Sequence, residues 1–346
     1  MAVTKLGTTV GYWSAGPPAG AAEAFTLAED LGFDSIWTAE AYGSDVLTPL
    51  AWWGARTSRI RLGTGIAQLS ARPPTTMAMA AMTLDHLSGG RVIIGVGASN
   101  PQVVEGWYGL PYPRPLERTR EYIEVMRKVI AREGPVTYDG RHYQLPFPGG
   151  TGLGKPLKST LHPIRTSIPI FIAAEGPKNV ALAGEVADGW LPMFFSPRSN
   201  DFYADALAQG FAAPGARHSA DTFEVAGGPL AVVVDDDVER AADALRPTLA
   251  LYVGGMGARG TNFHHDVFVR LGYGEEARKI QDLYLDGDKK AATAAVPTRL
   301  VEDVALIGPM AKIRDELPLW RDTVLTTLML TADPRHLPTL AEYALA

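Results

Sequence analysis

The sequence predicts an α/β fold, a closed (β/α)8 barrel that forms a single domain over residues 1–346. Three observations predict it. Short apolar runs alternate with helical patterns along most of the chain, there are eight such runs, and no G-x-G-x-x-G loop follows the first of them. Parallel strands covered by helices on both faces have near-continuous apolar sequences, as these runs do. An open doubly wound sheet is the alternative.

The predicted elements follow in order along the chain. The strands are 6–13, 34–40, 59–66, 91–99, 168–175, 189–195, 223–234 and 323–330. The helices are 19–31, 46–57, 75–87, 116–132, 177–187, one from about 201, one capped by the three aspartates at 235–237, 310–320 and 334–345.

Two stretches break this alternation, at about 133–167 and 254–296. The first is rich in glycine, proline and aromatic residues, and the second is irregular but largely helical. The first is too long to be a plain connection between a strand and a helix. We expect them to be insertions or lids on the barrel.

Composition excludes several classes of protein. The 32 basic and 38 acidic residues give a net charge of −6 without a basic block, which argues against partners such as nucleic acid or an anionic membrane. There is no cysteine and no apolar run of 18 residues. The N-terminus lacks the pattern of a signal peptide. These features favour a cytoplasmic protein that acts on a small molecule.

The carboxyl ends of the predicted strands are where a barrel places its ligand. They offer no set of histidines and carboxylates for a metal, and we expect none. His264 and His265 fall in the second insertion without an evident third ligand. Glu40 is the one carboxylate that a strand end places inside the mouth, where it could donate a proton. Alternatively it pairs with Arg72 or caps the next helix.

Glycines mark three of these strand ends. Gly63 and Gly65 interrupt the third strand, which indicates a bulge or a close approach by a ligand. The segment GVGASNP at 95–101 indicates either a ligand-bordering backbone or close packing of strand on helix. The segment AAEGPKN at 173–179 opens a helix whose N-terminus suits a phosphate, although a simple helix start explains it equally well.

Three segments resemble the bacterial luciferase-like superfamily, in its branch of oxidoreductases that use the deazaflavin coenzyme F420. They are GFDSIWTAEAYGSDVLTPLAWWGARTSRIRLGTGI, TLDHLSGGRVIIGVGASNPQ and IPIFIAAEGPKNVALAGEVADGWLP, in that order. The resemblance covers nearly the whole chain and fades in the two insertions. It implies hydride transfer between the coenzyme and an organic substrate, and a homodimer. An FMN-dependent monooxygenase is the alternative, and a non-catalytic barrel that binds a small ligand is a third hypothesis.

The resemblance also assigns residues. It implies a non-prolyl cis peptide between Gly65 and Ile66 that backs the coenzyme ring, with Glu40 as ring contact and candidate catalytic acid. Ala41 and Asn100 stand where sugar-phosphate dehydrogenases of the superfamily have a histidine and a glutamate, which argues against that activity. The implied coenzyme contacts are Glu40, Gly65, Ile66, Gln68, Gly97, Ala98, Ser99, Ala174, Glu175, Gly176 and Lys178, with the Glu175 side chain turned away from the phosphate. The expected substrate pocket comprises Tyr12, Trp13, Tyr42, Asn100, Trp107 and Phe194.

Overall fold

The structure is a computed structural model that describes residues 3–345. Eight parallel strands close a barrel in the order β1, β2, β3, β4, β7, β8, β9, β12 and back to β1, which confirms the predicted fold. The strands are β1 Lys5–Val10, β2 Ser35–Thr38, β3 Arg61–Gln68, β4 Val92–Gly97, β5 Tyr138–Asp139, β6 Gln144–Leu145, β7 Ile170–Ala173, β8 Gly189–Leu191, β9 Glu224–Gly227, β10 Val232–Val234, β11 Leu306–Gly308 and β12 Thr327–Met329.

Helices surround the barrel and fill the second insertion. They are α1 Ala21–Asp30, α2 Leu47–Gly54, α3 Pro74–Ser88, α4 Pro101–Gly106, α5 Pro115–Ala131, α6 Pro177–Val186, α7 Asn200–Phe211, α8 Val238–Asp243, α9 Arg246–Ala250, α10 Phe263–Arg270, α11 Gly274–Leu285, α12 Lys289–Ala294, α13 Thr298–Val304, α14 Met310–Arg321 and α15 Leu337–Leu345. A π-helix, Leu251–Gly255, follows α9 directly. Within residues 3–345, no helix combines the length and the apolar character that a membrane crossing requires.

Side chains rather than a channel fill the barrel. Trp37, Ile93, Phe171 and Ala226 form the interior cluster, and the Trp37 and Phe171 rings lie 5.7 Å apart. A Cβ atom on Gly63 would lie 2.3 Å from the Trp37 ring. Gly63 is therefore required by packing inside the barrel and not by a ligand.

The seventh predicted strand, 223–234, is wrong as a single element. It divides into β9, which belongs to the barrel, and β10, which pairs with β11 in a separate parallel sheet. The division falls at Gly228 and Pro229, where the chain passes so close to β12 that a Cβ on Gly228 would lie 2.4 Å from the Met329 carbonyl oxygen. A side chain there would collide with the neighbouring backbone, and proline lacks the N–H that a continued strand would need.

The two irregular stretches differ in structure. The first carries only the short antiparallel hairpin of β5 and β6. The second contains α10 and α11, which pack on the π-helix, and α12, which packs on α9 and α11. These helices share an apolar cluster with Phe194, Tyr252 and Phe268. Because Phe194 lies three residues beyond the end of β8, this cluster fixes the second insertion over the carboxyl side of the barrel.

Candidate functional site

Glu40, just beyond β2, is buried, and both of its carboxylate oxygens accept hydrogen bonds. Its carboxylate accepts hydrogen bonds from the Arg72 guanidinium at 2.5 and 3.1 Å and from the Gln68 backbone N–H at 2.9 Å. Burial opposes the charge on Arg72, but the hydrogen bonds to Glu40 raise the pKa of Arg72 above its ordinary value. The pairing with Arg72, considered above as the alternative for Glu40, is what the structure contains.

The bulge in β3 lies beside Glu40. The register between β3 and β4 shifts between Thr64 and Ala67, and the Gly65–Ile66 peptide is cis. Across from it, a Cβ on Gly97 would lie 2.9 Å from Ile66 Cδ1. The missing side chain at Gly97 therefore leaves Ile66 room to lie flat against β4.

Gln68 ends β3 with one unused hydrogen-bonding atom. Its amide nitrogen donates to the Ala41 carbonyl oxygen at 2.8 Å. The residue is only 2 % exposed, and its Oε1 is buried without a hydrogen-bond donor among the described residues. A buried acceptor without a donor is costly, which suggests that a bound molecule supplies an N–H or O–H here.

Beyond β4 the chain turns sharply through Ala98 and Ser99. Ser99 has a left-handed backbone with φ of 61°, and its carbonyl oxygen accepts a hydrogen bond from the Tyr112 hydroxyl. Asn100 then caps α4, because its Oδ1 accepts from the Val103 N–H at 3.0 Å. The Asn100 side chain is therefore occupied in forming the helix start.

The end of β7 and the start of α6 bring Ala174, Glu175, Gly176 and Lys178 together. The Ala174 carbonyl oxygen accepts from the Trp190 indole at 2.8 Å. No side chain caps α6, and a Cβ on Gly176 would meet nothing within 4 Å. Lys178 is exposed. The start of α6 therefore combines open space with the positive end of a helix dipole.

The aromatic residues expected to line the substrate pocket fall into an exposed group and a buried group. Tyr12, Tyr42 and Trp107 are exposed at the mouth, and the Tyr42 and Trp107 rings lie 6.5 Å apart. Trp13 instead stacks on Trp53 at 5.7 Å and packs against the main core. Phe194 is 2 % exposed and lies beneath the second insertion. Only the first group presents open surface to a substrate.

Tyr252 in the π-helix is a residue of the mouth that sequence reasoning missed. Its hydroxyl faces that of Tyr12, and shielding from water together with this neighbour raises the pKa of Tyr252 far above its ordinary value. About half of the Tyr12 residue is exposed, but its hydroxyl is shielded from water beside Tyr252, which raises the pKa of Tyr12. Both phenols therefore keep their protons at neutral pH. A π-helix, which is often found at functional sites, leaves no simple periodicity in the sequence.

His264 and Arg270 of α10 lie beside Glu175, between β7 and α6. The Arg270 guanidinium donates to the Glu175 carbonyl oxygen at 3.0 Å, and the His264 Nδ1 lies 2.8 Å from Glu175 Oε2. Asn262 in TNFHH, a cap residue before a helix, was the available signal for this helix start. Across residues 3–345, no group of three or more histidine, cysteine or acidic side chains has the geometry of a metal site.

Two further arginines, Arg198 and Arg259, are paired with carboxylates. Arg198 pairs with Asp303, and Arg259 pairs with Asp282 and Asp286 in the second insertion. Both are charged residues of an ordinary protein surface.

Comparison with known proteins identifies relatives across nearly the full length. A Mycobacterium tuberculosis protein named as a candidate coenzyme F420-dependent oxidoreductase is 53 % identical over 330 residues, which is 95 % of each chain. The 5,10-methylenetetrahydromethanopterin reductase of Archaeoglobus fulgidus is 30 % identical over 290 residues, covering 82 % of this chain and 80 % of the relative.

A solved structure has the same architecture. The coenzyme F420 dependent tetrahydromethanopterin reductase from Methanopyrus kandleri superposes with a TM-score of 0.76 at 25 % identity, over 99 % of this chain and 97 % of that one. Residues 2–327 match the family described as luciferase-like monooxygenase. The match spans seven of the eight barrel strands and both insertions and ends at the first residue of β12, and the chain therefore belongs to the luciferase-like family.

Proposed function

We propose that this protein is an oxidoreductase that uses coenzyme F420 and transfers a hydride between the deazaflavin and an organic substrate with an activated C=C, C=O or C=N bond. The observation that carries this proposal is the 53 % identity over 95 % of each chain to the mycobacterial relative. A coenzyme that fits one chain is expected to fit another so similar over its whole length.

The residues at the end of β3 fit a flat heterocycle. Ile66 offers an apolar face, Gly97 keeps the neighbouring strand free of a side chain, and Gln68 Oε1 lacks a donor. The ring of a deazaflavin has both an apolar face and N–H groups on its polar edge, and it would satisfy Gln68. Glu40 then acts by holding the Gln68 backbone in place, since its oxygens already accept hydrogen bonds.

The coenzyme phosphate would lie at the start of α6. Gly176 leaves space there, and the helix dipole favours an anion. The Glu175 side chain faces His264, so it does not point along the helix toward a phosphate. Ala174 and Lys178 would border the same region.

Bound F420 would supply the hydride chemistry, and the protein supplies position and shelter from water. Tyr12, Tyr42 and Trp107 would contact the substrate at the open mouth. The second insertion covers the side of β7 and β8, where Phe194 closes the barrel to solvent.

A charge change at Gly176 tests the coenzyme site. Gly176 has extended backbone angles and free space, so both Gly176→Asp and Gly176→Asn should fold normally. We expect the aspartate variant alone to weaken F420 binding at low salt, by about tenfold for a repulsion of roughly 1.4 kcal/mol. Titration followed by the fluorescence of the deazaflavin measures the affinity.

Equal F420 affinity in the two variants would mean that the coenzyme phosphate does not bind at the start of α6. Binding of FMN but not of F420 to the unmodified protein would overturn the proposed function in favour of a flavin enzyme.

A further inference from the structure

A glutamate and a histidine from distant parts of the chain meet at the mouth of the barrel. His264 Nδ1 lies 2.8 Å from Glu175 Oε2. Glu175 is about nine-tenths buried, and neither its Oε1 nor the His264 Nδ1 makes an aligned hydrogen bond with any described residue. A buried pair with unused hydrogen-bonding atoms is unusual for a purely structural contact.

The position of His264 is fixed by Asn262, which is 2 % exposed. The Asn262 amide nitrogen donates to the carbonyl oxygens of Tyr252 and Val253 at 2.9 Å. Its Oδ1 accepts from the backbone N–H groups of His264 and His265. One side chain therefore joins the π-helix to the start of α10 and sets the direction of the histidine.

The His264 ring also borders the residues expected to meet the substrate. It makes edge contacts with Tyr252 at 4.8 Å and Phe194 at 5.7 Å between ring centroids, and Tyr252 faces Tyr12. The side chain is 21 % exposed while Nδ1 is buried, so the accessible part of the ring lies on the Nε2 side. A histidine with a carboxylate beside one nitrogen and solvent at the other is a common arrangement for proton transfer.

We propose that Glu175 and His264 form the acid–base pair of this enzyme, with His264 as the catalytic proton donor and Glu175 as its positioning residue. This inference rests on the proposed function. As a hydride adds to one atom of the substrate double bond, the other atom takes the proton from Nε2 of the imidazolium. Neutral His264 then regains a proton from solvent, and in the reverse reaction it accepts one.

The charged and titratable groups around His264 favour this role. Glu175 faces it from the end of β7, Tyr252 faces it from the π-helix, and Arg270 of its own helix is bound to the Glu175 carbonyl oxygen. The adjacent His265 turns toward Asp266, with Nδ1 3.6 Å from its carboxylate. Glu175 is thus the one carboxylate within ion-pair distance of His264 among the described residues.

The first experiment uses the protein without coenzyme. Nitrogen–proton NMR spectra of the histidine rings are recorded, and His264→Gln assigns the signals. We expect Glu175→Gln to shift the Nδ1 signal of His264, because the variant removes the carboxylate beside that nitrogen. An unchanged Nδ1 signal would overturn the pair, whatever the coenzyme proves to be. Thermal unfolding verifies that both variants fold.

The second experiment measures turnover of 2-cyclohexen-1-one with reduced F420 across pH. We expect His264→Gln to lower kcat at least a hundredfold and to remove the alkaline limb of the profile, with the KM and the coenzyme affinity little changed. His265→Gln is the matched control and should keep both kcat and the limb. A normal profile in His264→Gln would overturn the proposal.

Failure of the unmodified protein to bind F420 would instead contradict the proposed function. His264 would then have no hydride reaction to which it could donate a proton. The NMR result would still decide whether Glu175 and His264 form a pair.

Discussion

Glu40 forms a buried ion pair beside the candidate coenzyme site. Its side chain is 4 % exposed and that of Arg72 is 15 % exposed. Replacing Glu40 by glutamine leaves a buried guanidinium without its countercharge, and breaking such a pair costs about 3 kcal/mol. We therefore expect Glu40→Gln to lower the free energy of unfolding by about this amount, as measured by urea denaturation.

An exposed pair provides the control for Glu40. Arg314 and Asp315 have half or more of their side chains exposed, so Asp315→Asn should cost no more than about 1 kcal/mol. A Glu40→Gln variant as stable as Asp315→Asn, but with turnover reduced, would return Glu40 to the role of proton donor.

Two glycines of β4 separate packing from binding. A Cβ on Gly95 would lie 2.1 Å from the Thr64 carbonyl oxygen, which is backbone and cannot move aside. A Cβ on Gly97 would meet the end of the flexible Ile66 side chain at 2.9 Å. We expect Gly95→Ala to destabilise the fold by about 3 kcal/mol and Gly97→Ala by about 1 kcal/mol.

Coenzyme affinity distinguishes these two variants further. Since Gly97→Ala displaces Ile66, it should weaken F420 binding several-fold while the protein stays folded, as shown by fluorescence titration beside thermal unfolding. A Gly97→Ala variant that binds F420 as tightly as the unmodified protein would mean that Ile66 does not contact the coenzyme ring.

Residues whose roles come from their own strand end could be predicted from the sequence. Glu40 at the mouth and its alternative partner Arg72 are examples. The role of Gly63 could not, because it is set by the Trp37 ring on the neighbouring strand. His264 was out of reach for the same reason: its partner Glu175 lies 89 positions earlier along the chain, and no local pattern links them.

Elements were predictable where an apolar run stands alone. All eight barrel strands were found, but 223–234 merged β9 with β10, because both are apolar and only four residues, 228–231, separate them. The π-helix was not predictable, since five residues leave no distinct periodicity.

At the amino ends of the strands, an ionic network joins β1, β3 and β9. The Glu224 carboxylate accepts hydrogen bonds from Lys5 at 3.0 Å and from Arg61 at 2.7 and 3.0 Å, and Arg61 also binds Asp34. Burial opposes the charge on Glu224, but Arg61 and Lys5 hold its pKa below the ordinary value. This end of a barrel serves stability rather than catalysis.

Glu224 should make the stability of the fold depend on acid. A carboxyl whose pKa is lowered by folding contributes stability above its unfolded pKa, about 4.3, and loses it as pH falls through the folded value. We expect Glu224→Gln to lower the free energy of unfolding by about 1–2 kcal/mol at pH 7 and to flatten its fall below pH 4. Urea denaturation across pH measures both.

An exposed glutamate controls for the loss of charge alone. Glu342→Gln in α15 should leave the pH profile of stability unchanged. If the free energy of unfolding of Glu224→Gln falls with pH in parallel with that of the unmodified protein, the network does not contribute to the pH dependence of stability.

On the scale of the whole molecule, the outer face of α2 and α3 is unusually apolar. Trp52, Met79 and Leu87 are 72 %, 58 % and 77 % exposed. An apolar recess of about 730 Å³, lined by Trp52, Leu87 and alanines of both helices, lies between them. Contiguous apolar surface of this kind marks an interface, and the family resemblance predicts a homodimer.

We therefore expect the protein to be a dimer that uses this face. In a two-fold dimer each residue of the face meets the same patch on the second copy, so a charge introduced at Trp52 would be buried twice without a partner. Trp52→Glu should shift the mass measured by analytical ultracentrifugation from dimer to monomer. Leu319→Glu on α14, where Leu319 is 60 % exposed, adds the same charge to another face and should leave the dimer intact. A dimer that persists in Trp52→Glu would place the interface elsewhere, and a monomeric unmodified protein would contradict the prediction.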